Sequence, residues 1–148
     1  EEEVTAMRRA FAGIGNMGWP MAANLVKAGH AVTACDIAPE RAAAWAAETG
    51  GHAAATPAEA ARDAEAFLCI LPTSKEVAAV AAQVADVLPR GALFIDLTSG
   101  NPTRTAEIAA MLAGRGIRMV DAPVSGGVPR ARTGELAIML GGADAELD

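Results

Sequence analysis

Apolar positions along this chain gather in short, dense runs that alternate with longer alanine-rich stretches carrying polar residues at intervals. Residues 11–13, 31–36, 66–71, 92–97 and 117–122 form the clearest runs, and 52–55 a shorter, weaker one. Nearly every position in them is apolar, whereas a strand with one wet face would alternate, so they predict strands covered by helices on both faces. Strands and helices taken in turn imply βαβ units feeding a parallel sheet. The expected fold class is α/β, a doubly wound, mostly parallel sheet in a single domain.

Helix boundaries are marked by side-chain chemistry. Thr56-Pro57-Ala58-Glu59 orders an N-cap hydroxyl, a first-turn proline and a capping-box glutamate, and Thr73-Ser74-Lys75-Glu76 repeats the box. Asn101-Pro102 supplies a third cap, while Gly29, Gly50 and Gly114 stand where helices should stop in a left-handed conformation. Residues 136–140 read as one further strand, and a helical first turn opens at Asp144.

At 148 residues and 52% hydrophobic, the chain has material for one core and little for a second. A formal charge of -6 argues against a nucleic-acid partner, which needs clustered Lys and Arg. The only charge run, Glu1-Glu2-Glu3, reads as a solvated extension over residues 1–6. No apolar stretch approaches the roughly 20 residues that span a bilayer, and the start lacks the basic-then-apolar order of a signal peptide. A soluble, cytoplasmic protein without a membrane partner is expected. Cys35 and Cys69 each fall inside a predicted buried strand, with no Cys-x-x-Cys spacing and no His ligand set nearby, so packing is expected of them and no metal site.

The first strand runs into Gly13-Ile14-Gly15-Asn16-Met17-Gly18 and then a helix over about residues 17–28. Here Gly-x-Gly-x-x-Gly stands in the context that gives it meaning. The first glycine allows a tight turn, the second lets backbone approach a pyrophosphate, and the third permits close helix-on-strand packing. Unpaired N–H groups at the helix start then face phosphate, where the macrodipole favours negative charge. This is the dinucleotide turn of a Rossmann sheet, with strand order 3-2-1-4-5-6 and the glycines at its carboxyl edge. Asp36 closes the second strand eighteen positions after Gly18, where it can accept from the adenosine ribose hydroxyls and repel a 2′-phosphate. NAD is thus favoured over NADP; the competing reading of Asp36 is a cap for the helix from Pro39 onward.

Leu71-Pro72-Thr73 leaves the fourth strand and Asp96-Leu97-Thr98-Ser99-Gly100-Asn101-Pro102 the fifth, both at the edge where ligands bind. Each alone reads more readily as turn chemistry than as a site. More specific is Asp121-Ala122-Pro123-Val124-Ser125-Gly126-Gly127-Val128-Pro129: a small hydroxyl before two glycines exposes successive N–H groups and forms a concave anion site suited to a carboxylate.

From about Arg9 to its end the sequence resembles the β-hydroxyacid dehydrogenases, a family within the 6-phosphogluconate dehydrogenase NAD-binding-domain superfamily. The resemblance is carried by Phe11-Ala12-Gly13-Ile14-Gly15-Asn16-Met17-Gly18, Pro20-Met21-Ala22, Asn24-Leu25, Ala28-Gly29-His30 and Asp36. It resumes at Asp121-Ala122-Pro123-Val124-Ser125-Gly126-Gly127, Ala131, Gly134, Leu136, Met139 and Gly141-Gly142. The wording of the second motif is similar to the 3-hydroxyisobutyrate and tartronate semialdehyde branch; Asp36-Ile37 departs from the Asn-Arg pattern of the 6-phosphogluconate branch.

The resemblance implies an oxidoreductase passing hydride between NAD and a small 3-hydroxy acid or its semialdehyde. By it, Asn16 and Met17 touch the pyrophosphate through their backbone and Asp36 holds the ribose. Leu71, Pro72, Thr98 and Ser99 line the nicotinamide half, and Ser125, Gly126 and Gly127 bind the substrate carboxylate. Arg130 and Arg132 follow the loop closely, but solvated surface positions suit them better.

The family's general acid/base is a lysine on a helix beyond the dinucleotide domain. Lys27, near a helix end, and Lys75, inside a capping box, are the only lysines here and neither suits that role. His30 and His52 are expected on the opposite edge. The chain is therefore read as an extension (1–6), a dinucleotide-binding domain (7–142) and the start of an incomplete helix (143–148). A further carboxyl-terminal domain would supply the lysine and any homo-oligomer contact, and this chain alone is expected to be inactive. The absence of Tyr excludes the Tyr-x-x-x-Lys chemistry of short-chain dehydrogenases. A non-catalytic dinucleotide module, an imine-reductase-like enzyme and a methyltransferase are the rival readings, and none of them accounts for Ser125-Gly126-Gly127.

Overall fold

A computed structural model describes residues 8–125 and 137–138. Strands and helices alternate as β1 (Arg8–Ala12), α1 (Gly18–Lys27), β2 (Ala31–Cys35), α2 (Pro39–Thr49), β3 (His52–Ala53) and α3 (Pro57–Ala61). The order continues with β4 (Ala66–Cys69), α4 (Ser74–Val84), β5 (Leu93–Asp96), α5 (Pro102–Ala113) and β6 (Arg118–Asp121). The six strands form one sheet in the order β3-β2-β1-β4-β5-β6, every pairing parallel. This is the expected Rossmann topology, and its strand order reverses between β1 and β4, where the carboxyl ends open a crevice.

Two apolar layers flank the sheet. On one side Phe11, Val32 and Ala34 pack with Ile14, Ala22 and Trp45, which brings in α1 and α2. On the other, Phe67 and Phe94 meet Val77, Ala81, Ile108 and Leu112 of α4 and α5. Phe67 and Phe94 are register partners on β4 and β5, and their rings stack at 5.5 Å and 10°. Trp45 is fully buried and its indole N–H donates to the Trp19 carbonyl at 3.3 Å, tying α2 to α1. Burying so large a ring without that partner would leave a polar group in the core.

The expected caps form with local differences. Thr56 Oγ1 accepts the Glu59 N–H, while Glu59 reaches back to the N–H of Ala55, one residue before the cap. Thr73 Oγ1 accepts from Lys75, and its hydroxyl bonds the Glu76 carboxylate. Asn101 Oδ1 accepts from both Thr103 and Arg104. Gly29 and Gly50 take the left-handed conformation, but Gly114 has φ -62 and remains right-handed; Gly116, with φ +77, makes the turn. The helix unwinds through one further turn before reversing, so the second of two nearby glycines carries the reversal.

The strand expected at 136–140 is seen as β8 (Ala137–Ile138). It pairs antiparallel with β7 (Val124–Ser125), outside the main sheet. The proposed extension at 1–6 and the helix start at 143–148 lie outside the described residues, as do Gly126, Gly127, Arg130 and Arg132.

Candidate functional site

The turn after β1 explains its three glycines separately. Gly13 has φ +98, and a Cβ there would sit 2.2 Å from the carbonyl oxygen of Ile70, the residue after neighbouring β4. A Cβ on Gly18 would lie 1.7 Å from the Gly13 carbonyl oxygen, so α1 can begin this close to its own strand only with glycine. Gly15 differs: its φ is not left-handed and a Cβ would meet nothing within 4 Å. Neither backbone strain nor a protein neighbour calls for glycine at Gly15, which opens onto a cleft of about 730 Å³. That volume lies within the range of small-molecule sites. Helix α1 starts from Met17 with no side-chain cap, as α2 does from Ala38, whereas α3, α4 and α5 are capped by Thr56, Thr73 and Asn101.

Asp36 follows β2 and takes up the second of the roles weighed for it, turning the chain into the helix from Pro39. Its Oδ2 accepts the Ile14 N–H at 2.7 Å and its Oδ1 the Ala38 N–H at 2.9 Å. Arg41 on α2 lies 3.5 Å away, with its own side chain half exposed. A carboxylate offers about four acceptor positions, so the backbone bonds leave capacity for ribose hydroxyls. The neighbouring Cys35 thiol is pushed up to about 12, by burial first and then by the charge of Asp36, so it stays protonated.

Of the expected site residues, Gly13, Gly15, Asn16, Met17, Gly18 and Asp36 line this one cleft. Leu71 and Pro72, just after β4, line it as well. Thr98 is buried, and its Oγ1 accepts the Leu71 N–H at 3.0 Å, while Ser99 is exposed and not among the lining residues. The backbone of Ser125 is in β7. His30 and His52 sit at the amino ends of β2 and β3, the edge opposite the cleft. Lys27 lies in the last turn of α1 and Lys75 in the first turn of α4.

Sequence reading missed Arg41, Ile37, Thr56 and Gln83, all of which line the cleft. Ile37 is the one large apolar side chain fully in solvent among the described residues, placed beside Asp36 at the cleft. Its position directly after the acidic residue was the available signal. A second groove, of about 800 Å³, lies between α1 and α2; it is lined by Trp19, Asn24, Lys27 and Glu48 and shares Gly15, Asn16 and Arg41 with the cleft.

Below the cleft floor Asp96 is buried. Its Oδ1 accepts the Thr98 N–H at 2.9 Å and the Cys69 thiol at 3.7 Å. Burial pushes its carboxyl above the ordinary range against those hydrogen bonds, and Asp121, its register partner on β6, is raised by burial and by the charge of Asp96. Burial likewise raises the Cys69 thiol, with Asp96 adding to it. Among the described residues no three His, Cys, Asp or Glu side chains gather as a metal site requires, and no helix is long and apolar enough to cross a membrane.

Comparison with known proteins gives a consistent picture. Residues 8–148 match the family model described as the NAD binding domain of 6-phosphogluconate dehydrogenase. The mouse mitochondrial 3-hydroxyisobutyrate dehydrogenase is 38% identical over 139 residues, covering 92% of this chain and 41% of that protein. The solved structure of 3-hydroxyisobutyrate dehydrogenase from Mycobacterium tuberculosis with L-serine superposes with a TM-score of 0.91 at 39% identity, over 97% of this chain and 49% of that one. A reductive aminase from Aspergillus terreus in complex with NADPH, cyclohexanone and allyl amine also superposes, with a TM-score of 0.79 at 25% identity, over 96% of this chain and 50% of that one. The chain thus spans about half the length or less of the relatives it matches.

Proposed function

This chain belongs to the 6-phosphogluconate dehydrogenase family of NAD-binding domains, and on that premise we propose that it is the cofactor half of a dehydrogenase acting on small 3-hydroxy acids or their semialdehydes. The observation that carries the reading is Gly15, a glycine required by neither strain nor packing at the mouth of a cleft. A bare backbone there admits a pyrophosphate against the uncapped start of α1. A bound nicotinamide supplies the hydride acceptor or donor.

The chain's own residues bind and orient. Asn16 and Met17 offer backbone to the pyrophosphate, Asp36 accepts from the adenosine ribose and Ile37 covers the adenine. Leu71 and Pro72 wall the nicotinamide end, with Thr98 and Ser99 behind them. Ser125, Gly126 and Gly127 hold the substrate carboxylate, so that hydride donor and acceptor meet in a fixed geometry, an effect that can be worth roughly 7 kcal/mol or more. Lys27, Lys75, His30 and His52 are not among the residues lining the cleft, so proton transfer is assigned to a group outside residues 8–125. The two cysteines Cys35 and Cys69, free and buried, suit a reducing compartment such as the cytoplasm.

Calorimetric titration with NAD, NADP and ADP-ribose tests the reading: NAD and ADP-ribose bind and NADP binds less tightly. Incubation with NAD and 3-hydroxyisobutyrate gives no sustained NADH absorbance. A chain that binds none of the three nucleotides, or that turns over at the rate of a whole dehydrogenase, overturns it. The imine-reductase alternative is the weaker one, since the reductive aminase superposes less closely and at lower identity than the 3-hydroxyisobutyrate dehydrogenase.

A further inference from the structure

The parallel ladder between β4 and β5 ends where the Leu97 N–H donates to the Cys69 carbonyl at 2.8 Å. Beyond that point two turns leave neighbouring strands, and backbone groups that stay near each other need new acceptors. Two buried hydroxyls provide them. Thr98 Oγ1, on the β5 turn, accepts the Leu71 N–H of the β4 turn at 3.0 Å. Ser74 Oγ, at the start of α4, accepts the Asn101 N–H of the β5 turn at 2.7 Å. The bonds run in opposite directions across the gap, and Thr98 and Ser74 are 2% and 5% exposed. Asp96 fixes the first of them from below through the Thr98 N–H. Gly100 fits the second, since a Cβ there would lie 2.1 Å from Ser74 Oγ.

We propose that Ser74 and Thr98 are positioning residues that fasten the β4 and β5 turns into one unit, so that Leu71 and Pro72 present a fixed wall to the nicotinamide ring. The inference rests on the dinucleotide reading of the cleft. With the pyrophosphate at α1 and the adenosine ribose at Asp36 after β2, the side of the cleft across β1, where Leu71 and Pro72 leave β4, receives the nicotinamide. Thr98 is then a support for the wall and not itself a contact.

The test compares NADH with ADP-ribose, which lacks the nicotinamide. Thr98→Val and Ser74→Ala should each weaken NADH binding about fivefold to tenfold while changing ADP-ribose binding less than twofold, and Thr98→Ser should restore NADH binding. A fold that is merely loosened weakens both ligands alike. Amide hydrogen exchange on the unmodified chain is the second measurement: the Leu71 and Asn101 amides should be protected although both lie outside the sheet. Equal loss for the two ligands, no loss for either, or unprotected amides at both positions would overturn the latch. Failure of ADP-ribose to bind the unmodified chain would instead remove the dinucleotide reading on which it rests.

Discussion

Asp36 and Ile14 are joined by a 2.7 Å hydrogen bond in which the carboxylate accepts the backbone N–H, so the end of β2 is fastened to the glycine-rich turn after β1. The same side chain, 5% exposed, is the proposed ribose acceptor. Asp36→Ala should therefore act twice. NAD binding is expected to weaken about tenfold or more, and the orphaned Ile14 N–H should cost about 1–3 kcal/mol of stability. Titration and urea unfolding read the two effects apart, and unaltered stability would show that the Ile14 bond contributes nothing.

Gly18 and Gly15 should part company on substitution. Gly18→Ala places a Cβ against the Gly13 carbonyl and is expected to lower the thermal midpoint with or without nucleotide. Gly15→Ala meets no protein atom, so the chain should melt as before yet lose the stabilisation that NAD confers on the unmodified chain. If added NAD raised the midpoint of Gly15→Ala as much as that of the parent, the pyrophosphate would not be at this turn.

Arg41 bears on cofactor choice. A guanidinium 3.5 Å from Asp36 offsets the repulsion that the carboxylate would exert on a 2′-phosphate. Arg41→Ala is expected to leave NAD within about threefold and to weaken NADP about tenfold, widening the preference; parallel titrations decide it. A narrower preference in the variant would mean that Arg41 serves Asp36 alone.

Asp96 gives a pH signature. Its carboxyl is raised above the ordinary 3.8 by burial, so the folded chain holds that proton more tightly than the unfolded one. The stability it brings is fully present below 3.8 and is lost as pH rises through the folded value, with Asp121 acting in the same direction. Asp96→Asn keeps an oxygen for the Thr98 N–H and removes the charge. Urea midpoints measured upward from pH 3.8 should fall less steeply in the variant, which should be no less stable than the parent at neutral pH. A parallel slope in the two proteins would refute this account.

Much of this was legible because apolar density alone separates covered strands from helices. The runs at 31–36, 66–71 and 92–97 marked β2, β4 and β5, and their alternation with helices fixed a parallel order. What escaped depends on which side chains the folded path brings together or leaves in the open. Arg41 looks like any surface arginine of α2 until the fold swings it beside Asp36. Thr98 belongs to a polar turn by composition, yet is buried because the β4 turn needs its oxygen. Ile37 breaks the rule that apolar residues go inside, and does so at the cleft. Gly114 and Gly116 are equal candidates in one dimension, and only the path of the chain after α5 chooses between them. For β8 the strand itself could be read, but its partner at Val124–Ser125 could not.

The placement of Trp19 and Trp45 has an optical consequence. With no tyrosine in the chain, these two indoles account for all of its near-ultraviolet emission. Trp19 directly follows the last glycine of the turn, and Trp45 is held to it by one hydrogen bond in the dry interior between α1 and α2. A reduced nicotinamide absorbs where tryptophan emits, so energy transfer to a ligand seated at this turn would dim both rings together. The domain thereby carries an intrinsic fluorophore pair beside the glycine-rich turn, and the proposed binding of NADH can be timed by stopped flow without attaching any dye.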